Sequence, residues 1–283
     1  MDFSPVYEAA GRLGKGKCAC KQFGGSVDAG SALPYDSVHC LPRETNGPMR
    51  FPHPLIEGRL LRRYKRFLAD VQLLCGEEVT AHCANPGAMM GLLAPQGRVF
   101  LSQSDNPARK LRFSWEVVEA AFGRGPELVG VSTALPNPLV GDALRAGFFH
   151  EFDGWPIVRR EVKYGAASRV DFLLEGEGRP PLNVEVKNVH LMRQPGLAEF
   201  PDCATARGAK HMRELAEMVR AGCRACVVFV IQMNADRFTL ARDLDPVYAR
   251  AFDEAVAAGV EAIALSCNVA LEGVEISRRV PIV

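Results

Sequence analysis

Residues 169–187 read RVDFLLEGEGRPPLNVEVK, and this stretch decides how the second half of the chain folds. Apolar and charged residues alternate on both sides of a turn rich in glycine and proline. A period of two predicts two β-strands, and the turn predicts that they pair as a hairpin. If the hairpin is symmetric about Gly178, Asp171 lies directly across from Glu185. The sequence therefore predicts two opposed carboxylates on neighbouring strands.

Strand alternation gives this hairpin one charged face and one apolar face, because successive side chains point to opposite sides. The charged face carries Asp171 and Glu185, together with Arg169, which we expect across from Lys187. The apolar face, which we expect to join a core, carries Val170, Phe172, Leu174, Leu182, Val184 and Val186.

The charged face contains the groups that phosphodiester hydrolysis needs. Opposed carboxylates repel unless a positive charge lies between them, and Mg²⁺ or Mn²⁺ can supply that charge while keeping positions open for phosphate and water. Lys187 projects to the same side as Glu185, where it could orient or deprotonate a water and stabilise charge on the phosphate. We therefore predict a metal-dependent site in which Asp171, Glu185 and Lys187 are catalytic and the two acids bind the metal.

A second interpretation fits the same residues. An exposed hairpin face often carries cross-strand ion pairs that are solvated and have no function. An aspartate followed at this distance by Glu-x-Lys is a weak signal by itself. At this point the hairpin pattern leaves both interpretations open.

Composition limits the classes of protein that this chain can belong to. Its 283 residues are 48% hydrophobic, which is enough for two compact domains or one large one. The formal charge is only +1, so affinity for a nucleic acid must come from local patches. Nine scattered cysteines favour reduced thiols and a cytoplasmic location. No stretch approaches the ~18 apolar residues of a membrane helix, and we expect no membrane partner.

The chain divides into three regions of different character. Residues 1–48 are rich in glycine, serine and lysine without periodicity, which predicts a disordered extension. Residues 49–120 contain short apolar runs broken by turns, which predicts an all-β domain, although residues 58–70 fit a helix or a bulged strand equally well. Residues 121–283 give the order α-β-β-β-α-β-α-β, which predicts a mixed sheet with helices on its faces.

Basic residues form local clusters in residues 49–120 and in residues 121–283. On a helix predicted over residues 205–221, a line of polar residues is offset from the apolar stripe and could hold phosphates: Arg207, Lys210 and His211. In the β-domain, basic residues interleave with aromatic ones and could line a groove: Arg62, Arg63, Lys65, Arg66, Arg109 and Lys110. An ordinary solvated surface explains these clusters about as well.

The cysteines suggest thiol chemistry only weakly. Cys223 and Cys226 have the spacing of half a zinc site, but no second pair completes it, so we interpret them as core residues. Cys203 with His211 has no readable orienting group, and a structural role is favoured there too.

Six longer motifs identify a family. The stretches RRYKRFLADV, HCANPGAMMG, SRVDFLL, NVEVKNV, RGAKHMREL and DPVYARAFDEAVAAGVE resemble the sugar fermentation stimulation protein A family over about residue 49 to the C-terminus. The resemblance implies an α/β (α+β) chain with an N-terminal OB-type β-barrel, residues 49–120, and a PD-(D/E)xK nuclease-like domain, residues 121–283. The second domain is expected to be a restriction-endonuclease-like mixed sheet with flanking helices. Residues 58–70 are then strand.

The resemblance also assigns site residues and partners. It places the acidic pair at Asp171 and Glu185 and the lysine at Lys187, with Glu161 as an additional acid for the metal, and it matches the family's basic helix at Arg207, Lys210 and His211. Members are described as DNA-binding proteins linked to maltose metabolism. We expect a largely sequence-nonspecific DNA-binding protein with a Mg²⁺-dependent nuclease-type site, with RNA and a homodimer left open. The alternative is a non-enzymatic DNA-binding regulator of sugar metabolism.

Overall fold

The computed structural model describes residues 47–164 and 168–283. The extension predicted for residues 1–48 lies outside the described residues, apart from the last two. Among the helices of the described ranges, none combines the length and the apolar character that crossing a bilayer requires.

The first part of the described chain consists of strands joined by turns. They are β1 (Met49–Arg50), β2 (Ile56–Tyr64), β3 (Leu68–Leu73), β4 (Glu78–Cys83), β5 (Arg98–Gln103), β6 (Phe113–Ala121) and β7 (Pro126–Gly130). Five of them, in the order β4-β3-β2-β5-β6, close into a barrel through parallel pairing of β4 with β6. This is the OB-type barrel that the family resemblance implies, and it is the all-β domain that the residue pattern predicts. The sixth strand of the same sheet is β7, which lies past the boundary expected at residue 120.

The stretch that periodicity left ambiguous, residues 58–70, is strand and not helix. It covers most of β2 and the start of β3, with a register shift between Leu60 and Arg62 that marks a bulge. The two strands are separated by a tight turn in which Lys65 and Arg66 adopt positive φ angles of 49° and 65°. The turn exposes both basic side chains to solvent.

The second part of the described chain mixes helices with strands. Its elements are α1 (Pro136–Arg145), β8 (Ile157–Tyr164), β9 (Ser168–Glu175), β10 (Leu182–Val189), β11 (Leu191–Gln194), β12 (Leu197–Phe200), α2 (Ala206–Arg220), β13 (Arg224–Ile231), β14 (Arg237–Leu240), α3 (Pro246–Ala257), β15 (Glu261–Ala270) and β16 (Gly273–Val280). The first helix of this order is predicted from about Asn137 to about Phe149, but α1 ends at Arg145, because Gly147 follows with a φ of 68°. A short 3₁₀ turn, His150–Phe152, takes up the rest.

A seven-stranded mixed sheet, in the order β1-β16-β15-β13-β10-β9-β8, organises this part. The strands β10, β13 and β15 are parallel, and the outer pairs are antiparallel. The continuous apolar run at residues 226–232 predicts a strand buried on both faces, and β13 is such a strand. Phe229 packs in the core that contains α2, α3 and the barrel, whereas Val228 packs in the core that contains α1. The predicted mixed sheet with flanking helices is therefore confirmed.

Several strands were absent from the order expected for residues 121–283. A separate three-stranded sheet consists of β11, β12 and β14, and β16 returns antiparallel to β15. These strands are short or follow sharp turns, so their periodicity is hard to see in the sequence. The strand β1 precedes the barrel in sequence and yet lies at the edge of the large sheet, beside β16.

The two long helices begin next to each other. Thr205 caps α2 by accepting a hydrogen bond from the Gly208 N–H at 3.0 Å, and Asp245 caps α3 by accepting from the Tyr248 N–H at 2.9 Å. The second carboxylate oxygen of Asp245 accepts from the Thr205 N–H at 2.7 Å. The start of α2 is therefore fixed against the start of α3, which sets the position of the first turn of α2 over the sheet.

Candidate active site

The hairpin formed by β9 and β10 has the predicted register. Leu174 pairs with Leu182 and Phe172 with Val184, which is the symmetry about Gly178 expected from the sequence. The ladder ends there, because the Asp171 Oδ2 accepts the next available backbone N–H, that of Val186, at 2.7 Å. A side chain thus replaces a main-chain partner at the point where the two strands separate.

Separation of the strands corrects two expectations. Asp171 and Glu185 lie on adjacent strands but are not a pair of the ladder, which ends at Phe172 and Val184. Arg169 does not pair with Lys187; it pairs with Lys163 of β8 on the other side of its strand. The division into faces is correct, since the apolar side chains of the hairpin are all buried: Val170 is 1% exposed, and five others lie in one cluster with α1 and β13, namely Phe172, Leu174, Leu182, Val184 and Val186.

Asp171 is held at both of its oxygens. In addition to the Val186 N–H, it accepts a hydrogen bond at 2.7 Å from the Asn137 Nδ2 at the start of α1. Burial raises the pKa of Asp171, and the nearby charge of Glu185 raises it further; the two hydrogen bonds and Lys187 only partly oppose this. The ionised carboxylate is therefore short of positive charge, which a bound cation would provide.

Glu185 is one of the few charged groups in the core, at 3% exposure. Its Oε1 accepts a hydrogen bond from the Lys187 Nζ at 2.6 Å and a very short one from the His211 Nδ1. Burial alone would raise the pKa of Glu185, but the charge of Lys187 and the bonds from Lys187 and His211 lower it. The Oε2 is buried without any hydrogen-bond partner in the described structure.

His211 does not lie on the solvent-facing basic line that the helix pattern predicted. It is 7% exposed and points at Glu185, with its Nδ1 3.5 Å from the Lys187 Nζ. Its Nε2 accepts a hydrogen bond from the Arg207 Nε at 3.3 Å. His211 therefore belongs to the acidic centre, whereas Arg207 and Lys210 are exposed as expected.

A cleft of about 630 Å³ opens over these groups. Its exposed basic lining residues come from two elements, Arg169 from β9 and Arg207 with Lys210 from α2, so positive charge borders the acids from two sides. The remaining lining residues are Glu161, Asp171, Glu185, Val186, Lys187, Phe200, Thr205, Gly208 and His211.

Glu161 lies in the row of acids but apart from the central pair. The β8–β9 pairs on either side of it, Arg160 with Phe172 and Val162 with Val170, put Glu161 level with Asp171. Its side chain is exposed and its φ of 53° is unusual for a residue other than glycine. In the described ranges, no three His, Cys, Asp or Glu side chains converge closely enough to hold a metal ion.

The donors present nevertheless fit a hard divalent cation. Mg²⁺ is commonly bound through one or two carboxylates, with water and substrate phosphate completing its octahedron. Asp171 and Glu185 provide two carboxylates on adjacent strands, and the Glu185 Oε2 is a buried acceptor without a donor. Burial with no partner is costly for such an oxygen, and coordination would remove that cost.

The basic residues of the barrel do not line this cleft. Arg62 is exposed and forms an ion pair with Asp70 at 2.7 Å. Arg63 has a structural role, because its Nη2 donates to three backbone carbonyls, those of Arg66, Asn85 and Gly87.

The other barrel residues of the predicted groove lie on exposed turns. Lys65 and Arg66 occupy the β2–β3 turn, and Lys110 is exposed in the connection between β5 and β6. Arg109 donates a hydrogen bond to the Ser114 Oγ at 2.7 Å.

A buried polar cluster joins the barrel to the second domain. The sequence pattern does not predict this cluster. Asn85 is 1% exposed and approaches the His190 Nδ1 at 3.4 Å; the Asp202 Oδ2 lies 3.1 Å from the His190 Nε2 and accepts the Met89 N–H at 2.8 Å. Burial alone would raise the pKa of Asp202, but the hydrogen bond and charge of His190, with the Met89 N–H, lower it to about 2. The only sequence signal was the turn at residues 85–87.

The two cysteines with the spacing of half a zinc site behave as core residues. Cys223 and Cys226 are buried, as predicted, and burial raises the pKa of the Cys226 thiol well above its ordinary value. Burial and the charge of Asp202 also raise the pKa of Cys203, so neither thiol has the lowered pKa of a nucleophile.

Comparison with known proteins gives consistent matches to both halves of the chain. Residues 61–131 match the SfsA N-terminal OB domain, and residues 134–273 match the sugar fermentation stimulation protein RE domain. The sugar fermentation stimulation protein homologue of Methylorubrum populi is 62% identical over 83% of this chain and 95% of its own, and that of Azorhizobium caulinodans is 58% identical over 82% and 99%. The solved structure of Pyrococcus furiosus SfsA in complex with Ca²⁺ superimposes with a TM-score of 0.74 at 26% identity, covering 83% of this chain and 98% of that one.

Proposed function

The chain belongs to the sugar fermentation stimulation protein family, and from this membership we propose that it is a DNA-binding protein with a Mg²⁺-dependent nuclease-type active site. The observation that carries the proposal is the cleft itself: the buried carboxylate of Glu185, the half-buried carboxylate of Asp171 and a lysine lie together, bordered by exposed cations from two elements. A protein that only binds phosphates gains nothing from acids at the centre of its cleft, because they repel the ligand.

Asp171 and Glu185 would hold the cation, with Glu161, which also lines the cleft, as an additional acid for it. The metal, Mg²⁺ or Mn²⁺, would supply Lewis-acid polarisation of the phosphate and acidify a bound water. The relative from Pyrococcus furiosus was solved in complex with Ca²⁺, another cation that prefers oxygen ligands, which supports a cation site in this fold.

Lys187 would act on the reacting phosphate. Its ammonium is only 12% exposed and is held 2.6 Å from the Glu185 Oε1, so a fixed positive charge stands in a site largely removed from bulk water. Such a charge stabilises negative charge that develops on a phosphate oxygen, because it needs no reorganisation during the reaction. The same ammonium can orient an attacking water.

Arg169, Arg207 and Lys210 would hold the DNA by its backbone. All three are exposed and line the cleft, and contacts to phosphate carry no base information. We therefore propose binding with little sequence preference and a steep dependence on salt, with RNA as a competing ligand to be tested. The cytoplasm is the proposed location, in keeping with reduced cysteines.

A second function is favoured by one specific observation. Both oxygens of Asp171 and the Oε1 of Glu185 already have protein donors, and the described residues contain no cluster of three metal-binding side chains. A non-enzymatic DNA-binding regulator, including one that acts on maltose metabolism, would have this arrangement if the acids had become structural.

Cleavage assays separate the two functions. Labelled single- and double-stranded DNA and RNA would be incubated with the purified chain in Mg²⁺, Mn²⁺ or EDTA, beside Asp171→Asn and Lys187→Met. The matched control is Glu177→Gln, an exposed acid in the turn of the same hairpin. Metal-dependent cleavage that both site variants lose and the control keeps supports the nuclease. Binding without cleavage by the wild type supports the regulator.

A further inference from the structure

Three side chains on α2 and β10 form a continuous chain of hydrogen bonds, and the middle one, His211, has no part in the proposed hydrolysis. The Arg207 Nε donates to the His211 Nε2 at 3.3 Å, and the His211 Nδ1 contacts the Glu185 Oε1 at very short range. Arg207 is at the exposed end of this chain, and Glu185 is at its buried end.

This chain of hydrogen bonds determines which ring nitrogen of His211 carries a proton. The Nε–H of an arginine can only donate, so the His211 Nε2 must present a lone pair to Arg207. The proton of the neutral ring is therefore on Nδ1, where it faces the Glu185 Oε1. Arg207 thus selects the tautomer that donates to the buried carboxylate.

Both protein donors of Glu185 reach the same oxygen. The Lys187 Nζ and the His211 Nδ1 both bind Oε1, while Oε2 is buried and without a partner in the described structure. A carboxylate with one saturated oxygen has its rotation restricted, and the other oxygen remains the acceptor for a ligand.

We propose that His211 is a positioning residue: held by Arg207, it fixes Glu185 so that Oε2 is the oxygen that binds the divalent cation. This inference rests on the proposed function. In the described structure Arg207 has a hydrogen-bond partner only at Nε, so its two Nη groups can take a phosphate while Nε still holds His211. The phosphate and cation subsites are then connected through one histidine ring.

The test is the affinity for Ca²⁺, measured by titration calorimetry on the full chain without any substrate. Wild type is expected to bind, and Asp171→Asn should lose binding, which establishes that the titration reports this site. His211→Leu removes the donor to Glu185 and should weaken binding by about 10- to 100-fold. His211→Asn places an amide N–H where Nδ1–H lies and should recover binding to within a few-fold.

Arg207→Lys keeps the positive charge but loses the Nε–H that orients the ring, so its affinity should lie between those of wild type and His211→Leu. The matched control is Arg213→Leu, an exposed arginine on the same helix that does not line the cleft, and it should bind as wild type does. Circular dichroism checks that each variant is folded.

Two results would overturn the proposal. One is wild-type Ca²⁺ affinity in a folded His211→Leu, and the other is a loss in His211→Asn as large as that in His211→Leu. Heteronuclear NMR of the histidine ring nitrogens gives a check that needs no variant. The Nδ1–H tautomer of His211 is expected, and an Nε2–H tautomer would contradict the hydrogen bonds from Arg207 to His211 and from His211 to Glu185. If wild type binds no Ca²⁺ at all, the proposed metal site itself fails, and this inference fails with it.

Discussion

Replacing Asp202 by asparagine tests the buried cluster between the barrel and the second domain. The carboxylate is only 12% exposed and its Oδ2 receives two bonds, one from the His190 Nε2 and one from the Met89 N–H. Asparagine has nearly the same shape and can still accept at one oxygen, but it lacks the negative charge. The substitution therefore isolates the electrostatic part of this contact.

The lowered pKa gives the size of the effect. Because one pKa unit corresponds to about 1.4 kcal/mol, a fall from 3.8 to about 2 means that the ionised Asp202 contributes about 2 kcal/mol to the free energy of unfolding at neutral pH. A carboxyl whose folded pKa is lowered contributes fully above its unfolded pKa and loses the contribution as the pH falls towards its folded pKa. The difference between wild type and Asp202→Asn should therefore shrink between about pH 4 and pH 2.

Urea unfolding, followed by circular dichroism at a series of pH values, measures this difference. Asp243→Asn is the matched control, because the pKa of Asp243 is also lowered to about 2, by a hydrogen bond from Arg193, but its side chain is exposed. Water and salt screen an exposed pair, so its loss should cost much less. Two results would contradict a stabilising charge at Asp202. One is an Asp202→Asn variant no less stable than Asp243→Asn at neutral pH, and the other is a stability difference between wild type and Asp202→Asn that is unchanged near pH 2.

Three more predictions concern the cleft and its surroundings. Asp171→Asn should raise the free energy of unfolding of the metal-free protein near neutral pH. Burial and Glu185 raise the pKa of Asp171, so its ionised form lowers stability above that pKa. The same substitution should abolish any rise in melting temperature on adding Ca²⁺. Lower stability in EDTA would contradict this. Tyr248→Phe should stabilise by about 1 kcal/mol in thermal unfolding, because the hydroxyl is buried with no partner in the described structure, and a loss of stability would reveal a bond to it. Arg169→Ala should lower the slope of log affinity for DNA against log salt by about 1, whereas Arg220→Ala, at the end of α2 and outside the cleft, should leave it unchanged; equal slopes in both would remove Arg169 from the interface.

The hairpin could be read from the sequence because two independent signals agree there. Alternation fixes which residues face the core, and the glycine- and proline-rich turn fixes the centre of symmetry, so the pairing of Phe172 with Val184 followed. The start of α2 at Thr205 was similarly readable, since a capping side chain and the following residues act over a few positions.

The parts that could not be read depend on contacts between distant residues. Asn137 binds Asp171 across 34 positions of sequence, and no local pattern predicts that partner. His211 follows the basic spacing of α2, but whether a helix position at the edge of the apolar stripe is buried depends on what packs beside it, here Glu185 of β10. In the sequence Arg63 resembles its basic neighbours, but in the structure it donates hydrogen bonds to backbone carbonyls of the turn at residues 85–87.

The place of β1 has a consequence for the order of assembly on the ribosome. Met49 and Arg50 are synthesised more than two hundred residues before their partners, Val274 and Gly273. A side chain at Gly273 would collide with the Met49 carbonyl, whose oxygen lies 2.3 Å from the position of an added Cβ, so this closure depends on glycine. At a synthesis rate of about 5–20 residues per second, β1 waits on the order of ten seconds or longer for β16, while the barrel between them can already close. This edge of the large sheet is therefore completed only after the other strands of the described fold have been synthesised.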